Sequence, residues 1–288
     1  LPRVEVKRTA SQIRETIAGW RAAHESIALV PTMGNLHHGH LSLARLAREH
    51  TSRVVLSIFV NPTQFGAGED FAAYPRTLEA DRKLVDGAGT VDALFVPELS
   101  EIYPYGPDGG FRLRAPALGN ELCGVSRPGH FDGVATVVLR LLNIVAPDVI
   151  VLGRKDYQQL IIIERMLADL RLPIAVVAGE TERDADGLAI SSRNHYLTPE
   201  ERKRAPLLHA TLRELREKLA GGERDYGALE RAAIARLAAS GFRPDYVEVR
   251  AVADLTRPNG RHAPGDLIVL AAAWLGRARL IDNLRVAG

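Results

Sequence analysis

The chain has a single cysteine, Cys123, among 288 residues, so no internal disulfide can form. No Cys/His cluster has the spacing of zinc ligands, so neither oxidation nor a structural metal is required for folding, and a cytoplasmic protein is expected. Long hydrophobic runs are missing too: the longest, residues 267–275, is too short to cross a bilayer. The start, Leu1-Pro2-Arg3, has no signal-peptide h-region, so neither export nor a membrane partner is expected. Blocks of like charge are absent. The net charge of +2 comes from dispersed arginine, which does not indicate nucleic-acid binding. Lysine is scarce: positions 7, 83, 155, 203 and 218 hold all of it, the rest of the 37 basic residues being arginine, so each lysine is mildly informative.

What remains is an ordinary globular composition, long enough to bury a substantial core and to divide into two domains. Residues 27–30 and 54–60 are short, β-branched-rich apolar runs. Between them Leu41, Leu43, Ala44, Leu46 and Ala47 recur at helical spacing, which makes a βαβ unit. The alternation continues with helices over 77–88, 134–145 and 157–170 and strands over 93–96, 149–152 and 174–177. Near-continuously apolar strands alternating with helices predict an α/β fold, a doubly wound, Rossmann-like parallel sheet over residues 1–181. From 182 to 288 the pattern changes to helices over 199–220 and 226–240, then strands over 246–250, 267–274 and 277–281. This predicts a smaller α+β domain, with a hairpin through Leu275-Gly276-Arg277.

Four segments carry chemistry. The first strand ends in Pro31-Thr32-Met33-Gly34-Asn35-Leu36-His37-His38-Gly39-His40 and runs straight into a helix, at the sheet edge where open α/β folds bind ligands. Gly34 and Gly39 let backbone approach a phosphate chain, and the helix start offers N–H groups and a positive dipole end. His37 and His40, three apart, share one face of the first turn and can donate to phosphate oxygens. Strand two ends in Asn61-Pro62-Thr63-Gln64, whose two amides can position a small polar acid without adding charge. In Gly153-Arg154-Lys155-Asp156-Tyr157-Gln158-Gln159, Gly153 permits close approach, Lys155 is a compact phosphate-binding cation and Asp156 an acceptor for ribose hydroxyls. In Asp186-Gly187-Leu188-Ala189-Ile190-Ser191-Ser192-Arg193-Asn194, two hydroxyls and a guanidinium can cradle a polyphosphate. Taken singly, each has a plain alternative: a solvated glycine turn, an Asn-Pro turn, a charged turn and a polar linker.

The His-x-Gly-His segment resembles the nucleotide site of class I aminoacyl-tRNA synthetases and related nucleotidyltransferases. The four segments, together with Tyr74-Pro75-Arg76-Thr77, Ile102-Tyr103-Pro104, Ser126-Arg127-Pro128-Gly129-His130-Phe131 and the stretch 271–283, closely resemble the pantothenate synthetase (pantoate–β-alanine ligase) family over nearly the whole chain. The resemblance implies that Met33, Gly34, His37, Gly39, His40, Gly153, Lys155, Asp156, Ile190, Ser191, Ser192 and Arg193 bind ATP. His37, His40, Lys155 and Arg193 would be the catalytic groups. Gln64 and Gln159 would hold pantoate, Gln64 also β-alanine, with Asn61 and His130 in support. It further implies AMP-forming condensation of pantoate with β-alanine through a pantoyl-adenylate, in a homodimer whose carboxyl-terminal domain acts as a lid. Thr63 stands where a Met is common, Leu152 where a Phe is common, and Gly179-Glu180-Thr181-Glu182 where a Val-Pro stretch is usual, which bears on the adenine contacts. Ala80 falls where some relatives carry an acid beside Asp81, so no dedicated protein cage for Mg²⁺ is expected and the ion arrives with the nucleotide.

Pantoate's carboxylate is ionised at pH 7, so its attack on phosphorus needs no general base; the task is to bring anion to anion, which cations and hydrogen-bond donors perform. Competing readings are a nucleotidyltransferase that adenylylates a phosphate ester, a tRNA synthetase, and a nucleotide-binding regulatory module without turnover. The first does not share the paired amide and Ser-Ser-Arg segments, the second would need an anticodon domain or basic surface tract that is not evident, and the third gives no reason to retain both substrate amides and all the phosphate-binding residues.

Overall fold

The structure, a computed structural model, describes residues 3–66, 68–69 and 71–287; Leu1 and Pro2 of the expected leaderless start lie outside them. The chain divides into two compact units, Leu1–Arg154 with Ile162–Glu180, and Lys155–Ile161 with Thr181–Gly288. The sequence places a boundary after 181 but gives no sign that Lys155–Ile161 groups with the second unit. Two hydrogen bonds join it to that unit: Tyr157 Oη donates to Val252 O at 3.0 Å, and Asn283 Nδ2 donates to Lys155 O at 3.0 Å.

In the first unit six parallel strands, β1 (Glu5–Lys7), β2 (Ile27–Thr32), β3 (Arg53–Ile58), β4 (Ala93–Phe95), β5 (Val149–Gly153) and β6 (Ala175–Gly179), lie in the order β1-β4-β3-β2-β5-β6. The doubly wound sheet is therefore as expected. Alternate residues point to opposite faces. Ala28, Val30, Val54 and Leu56 pack in one core with Ala44 and Ala47 of helix His38–His50, while Ile27, Leu29 and Val55 are equally buried on the other face. Burial on both faces is why the strands read as unbroken apolar runs. β2 neighbours both β3 and β5, and from it the chain runs outward through β3 and β4 on one side and β5 and β6 on the other, so its carboxyl end is the topological switch point where such sheets bind ligands.

β1 and the first helix are among the elements not foreseen. β1 has only three residues, too few to register as a pattern. Helix Ala10–Ala22 starts at a capping box in which Thr9 Oγ1 accepts from Gln12 N at 3.2 Å and Gln12 Oε1 accepts from Thr9 N at 3.3 Å. The second strand stops at Ile58 rather than 60, because the backbone turns into a 3-10 turn at Pro62–Gln64.

The second unit holds an antiparallel sheet of β7 (Arg243–Ala251), β8 (Leu267–Leu275) and β9 (Ala278–Arg285) in the order β7-β8-β9. β8 and β9 join through Gly276 and Arg277 in the expected hairpin. Helices Leu207–Ala220 and Tyr226–Ala239 supply Leu212, Leu215, Leu219 and Leu237 to a core with Val247, Val249, Val269 and Ala271. The single helix expected over 199–220 is in fact two, Pro199–Arg204 and Leu207–Ala220. Pro206 lacks the N–H that a continuous helix would use at that position. Among the described residues no helix is long and apolar enough to cross a membrane, and the run 267–275 is the buried strand β8.

Candidate active site

At the switch point the chain leaves β2 through Met33 and Gly34 and enters helix His38–His50. Gly34 has φ +80°, which favours glycine, and a Cβ there would stand 3.0 Å from Ile58 Cγ2 and 3.2 Å from Asp81 Oδ2, a tight fit. Asp81 holds the loop from below. Its Oδ2 accepts from Asn35 N at 3.0 Å, and its Oδ1 accepts from Leu36 N at 2.8 Å and from Thr77 Oγ1 at 3.0 Å. At 3 % exposure this carboxylate is already satisfied by its neighbours and is unsuited to ligate Mg²⁺. Among the described residues no three His, Cys, Asp or Glu side chains gather as for a metal ion.

His37 caps the helix with extended backbone, and its N–H donates to His40 Nδ1 at 3.3 Å, the two rings lying 4.0 Å apart. An imidazole nitrogen that accepts leaves the proton on the other in the neutral ring. His40 is thus an Nε2–H donor, the tautomer suited to an anionic oxygen. Beside the loop opens a cavity of about 440 Å³, walled in part by Met33, Gly34, Phe59, Arg76 and Thr77, of a size common for small-ligand sites. Its walls do not include Asn61, Gln64 or His130.

Those three residues form a second cluster of the same unit. Asn61, 1 % exposed, donates from Nδ2 to Gln64 Oε1 at 3.0 Å and to Gly133 O at 3.2 Å, while its Oδ1 accepts from Tyr103 Oη at 2.7 Å. Gln64 Nε2 in turn approaches Met33 Sδ at 3.3 Å, which ties this cluster to the loop after β2. His130 Nδ1 lies 2.8 Å from Gln64 O and its Nε2 lies 3.0 Å from Arg127 Nη1. A guanidinium can only donate, so Nε2 accepts and Nδ1 carries the proton to the Gln64 carbonyl. His130 therefore orients Gln64 through its backbone. Helix His130–Val145 can come this close only because residue 133 is glycine: a Cβ would sit 2.2 Å from Thr63 O. Buried Tyr103 lies under Arg140, whose guanidinium carbon is 4.4 Å from the ring centre. Burial raises the Tyr103 phenol, so it remains a neutral donor to Asn61. Gly153, at the end of β5, is the last of the candidate residues in this unit.

The remaining candidates, Lys155, Asp156, Gln159, Ile190, Ser191, Ser192 and Arg193, belong to the second unit. Among the described residues Lys155 Nζ has no hydrogen-bond or ion-pair partner, which leaves its charge available. Asp156 is exposed and Gln159 half-buried. Arg183 bridges to Ala189 across a tight turn, and Ile190 N donates to Glu182 O at 2.9 Å. The turn delivers Ser191 to the start of a 3-10 turn, Ser192–Tyr196, where Ser191 Oγ accepts from Arg193 N at 3.3 Å. Thus one of the two hydroxyls is partly used as a cap, and its proton remains available for donation. Behind this segment, Asp282 on β9 takes a forked contact from Arg183 at 2.7 and 2.8 Å and stands 3.3 Å from His209 Nδ1, an ion-pair distance. Burial pushes the Asp282 carboxyl up, but His209 and Arg183 outweigh it and hold the group below the usual carboxylate range. Sequence reasoning assigned no role to Asp81, Tyr103, Arg183 and Asp282 because no local spacing marks them.

The comparisons with known proteins agree with one another. A model of the pantoate-β-alanine ligase family matches residues 5–285. A pantothenate synthetase of Thioalkalivibrio sulfidiphilus is 56% identical over 280 residues, covering 96% of each chain. The crystal structure of the pantothenate synthetase of Thermus thermophilus superimposes with a TM-score of 0.89 at 43% identity, over 99% of this chain and 100% of that one. The pantoate-β-alanine ligase of Francisella tularensis, solved with β,γ-ATP and β-alanine, gives 0.81 at 32% identity over 98% of both chains. The family model, the sequence identities and the superpositions converge, and the chain belongs to the pantoate–β-alanine ligase family of enzymes.

Proposed function

We propose that the enzyme adenylates pantoate with ATP and passes the pantoyl group to β-alanine, releasing pyrophosphate and then AMP. The observation that carries this reading is the loop at the switch point, held from below by Asp81 and presenting His40 as an Nε2–H donor. Met33, Gly34, His37, Gly39 and His40 of the first unit, with Gly153, bind ATP. Lys155, Asp156, Ile190, Ser191, Ser192 and Arg193 are ATP-binding residues as well, as the resemblance to the family implies. His37, His40, Lys155 and Arg193 neutralise charge that builds on the departing pyrophosphate. Gln64, oriented by Asn61 and His130, and Gln159 hold pantoate, and Gln64 also receives β-alanine. The amide cluster suits an acid because it offers donors without burying a further charge. Mg²⁺ comes with the nucleotide, on phosphate oxygens and water; the carboxylate nearest the loop, Asp81, is spent on backbone N–H groups. The working form is a cytoplasmic homodimer, residues 1–181 forming the nucleotide- and pantoate-binding domain and 182–288 the lid.

The first half-reaction must run alone and reverse. Labelled pyrophosphate is expected to exchange into ATP when pantoate and Mg²⁺ are present and β-alanine is not. Pantoate labelled with ¹⁸O in its carboxylate is expected to leave one labelled oxygen in AMP after the full reaction, since the attacking oxygen stays on phosphorus when the amine displaces it. No pantoate-dependent exchange, with ADP as product and label in inorganic phosphate, overturns the adenylate mechanism. A monomeric mass by light scattering at micromolar concentration overturns the dimer.

A further inference from the structure

We propose that the adjacent residues Asp282 and Asn283 of β9 are positioning residues for ATP binding, setting in register the two segments of the second unit that carry Lys155 and Ser191 to Arg193. The proposal rests on the reading that those segments bind the nucleotide. Both residues are buried, at 3 % and 8 % exposure, although a strand ordinarily turns one of two neighbours outward. Each reaches a different segment. Asn283 donates from Nδ2 to Lys155 O at 3.0 Å, fixing the backbone from which the lysine projects. Asp282 receives both arms of Arg183, and the same guanidinium donates from Nη1 to Gly187 O at 3.1 Å, so the turn leading to Ser191 is gripped at its base and at its tip.

The pair is also internally coupled, for Asn283 N donates to Asp282 Oδ1 at 2.8 Å. Further along, Asn194 Nδ2 donates to Ala189 O at 3.0 Å and closes the segment on itself. A cavity of about 10 Å³, room for a single water, is bounded by Lys155, Ser191, Asn194, His209 and Asp282, which places the two phosphate-binding segments and the carboxylate around one small space. A buried ion pair of this kind is weak support for stability, since well-packed apolar residues commonly do as well. What apolar residues could not supply is direction: a forked contact fixes the guanidinium in plane, and an amide donor fixes one carbonyl. Two segments 28 residues apart in the chain, at Arg183 and Lys155, are thereby located from one dipeptide.

The test is a double-mutant cycle between Asn283→Ala and Lys155→Ala, read as ATP affinity by calorimetry, which needs no turnover. Asn283→Ala is expected to weaken ATP about tenfold in the otherwise intact enzyme and less than about twofold in the Lys155→Ala background, with the thermal midpoint little changed. A purely structural role would weaken ATP by the same factor in both backgrounds, and that result overturns the proposal. So does an unaltered affinity for Asn283→Ala where Lys155→Ala alone weakens ATP, which leaves the ATP-site reading intact. Unaltered affinity for Lys155→Ala alone overturns the ATP-site reading and this proposal with it. Should Asn283→Ala fail to fold, Asn283→Ser shortens the donor at lower cost in polarity and is judged by the same cycle.

Discussion

The two units hold their loops by different means. In the first, the groups that meet the loops directly are mostly neutral amides, hydroxyls and imidazole (Asn61, Gln64, Tyr103, His130), with the carboxylate of Asp81 spent on backbone N–H groups and a half-buried Arg127–Glu69 pair behind His130. In the second, the central anchor is a buried ion pair, Asp282 with Arg183, beside which His209 Nδ1 stands at 3.3 Å. Neutral networks orient a substrate without adding field, whereas a buried pair gives sharper direction and fails badly when one partner goes.

The contrast breaks most visibly at Asp282. Asp282→Ala leaves Arg183, whose side chain is 19% exposed, without its counter-charge, and a loss of about 3–5 kcal/mol is expected in denaturant unfolding. The pH sign follows from the depressed carboxyl. Its contribution is complete above the unfolded value near 3.8 and is lost as pH falls below that, through the lower folded value. Wild type is therefore expected to lose stability on acidification in that window by more than Asp282→Ala does. Equal acid profiles for the two proteins remove Asp282 from the account.

A smaller effect is expected in the neutral network. Gly133→Ala brings a methyl to within 2.2 Å of Thr63 O, so the Asn61-to-Gln64 turn must shift, at a cost of about 1–3 kcal/mol. Because that turn carries Gln64, the KM for pantoate should rise at least as clearly as stability falls, with ATP affinity little changed. An unchanged pantoate KM in a destabilised variant would assign the close approach to packing alone.

The smallest effect is reserved for exposed charge. Arg202 pairs with Asp184 at 2.8 Å and Asp186 at 2.5 Å on the surface of the same turn that Arg183 holds from within. Arg202→Ala is expected to cost no more than about 1 kcal/mol, and less in high salt, where exposed pairs are screened. A salt-independent loss of several kcal/mol would erase the distinction between inner and outer anchors.

Much of the fold was legible. The Thr9 and Gln12 capping box and the Pro206 interruption were written locally and could have been used, the one to start a helix and the other to end one. β1 could not, since three residues at a sheet edge carry no period. Among the candidate residues, the loop after β2, the two amides and Lys155 stand at the ends of elements, where position alone suggests chemistry. Tyr103 and Asn283 stood within motifs of the resemblance but had no role, because the atoms they meet lie 42 and 128 residues away.

By itself the sequence determined the alternation of strands and helices, the change of pattern near residue 181 and the order of the chemical segments. It could do so because burial on both sheet faces writes apolar runs, and turns write glycine, proline and asparagine. Only the tertiary structure decided what the acids and imidazoles are for. Asp81 is a post for backbone N–H groups about 46 residues away, and Asp282 a partner for a guanidinium 99 residues away. His40 and His130 carry their protons on opposite nitrogens because different neighbours meet them. The free energy of a buried charge or ring proton depends on the partner atoms around it, and chain folding, not local spacing, supplies those partners.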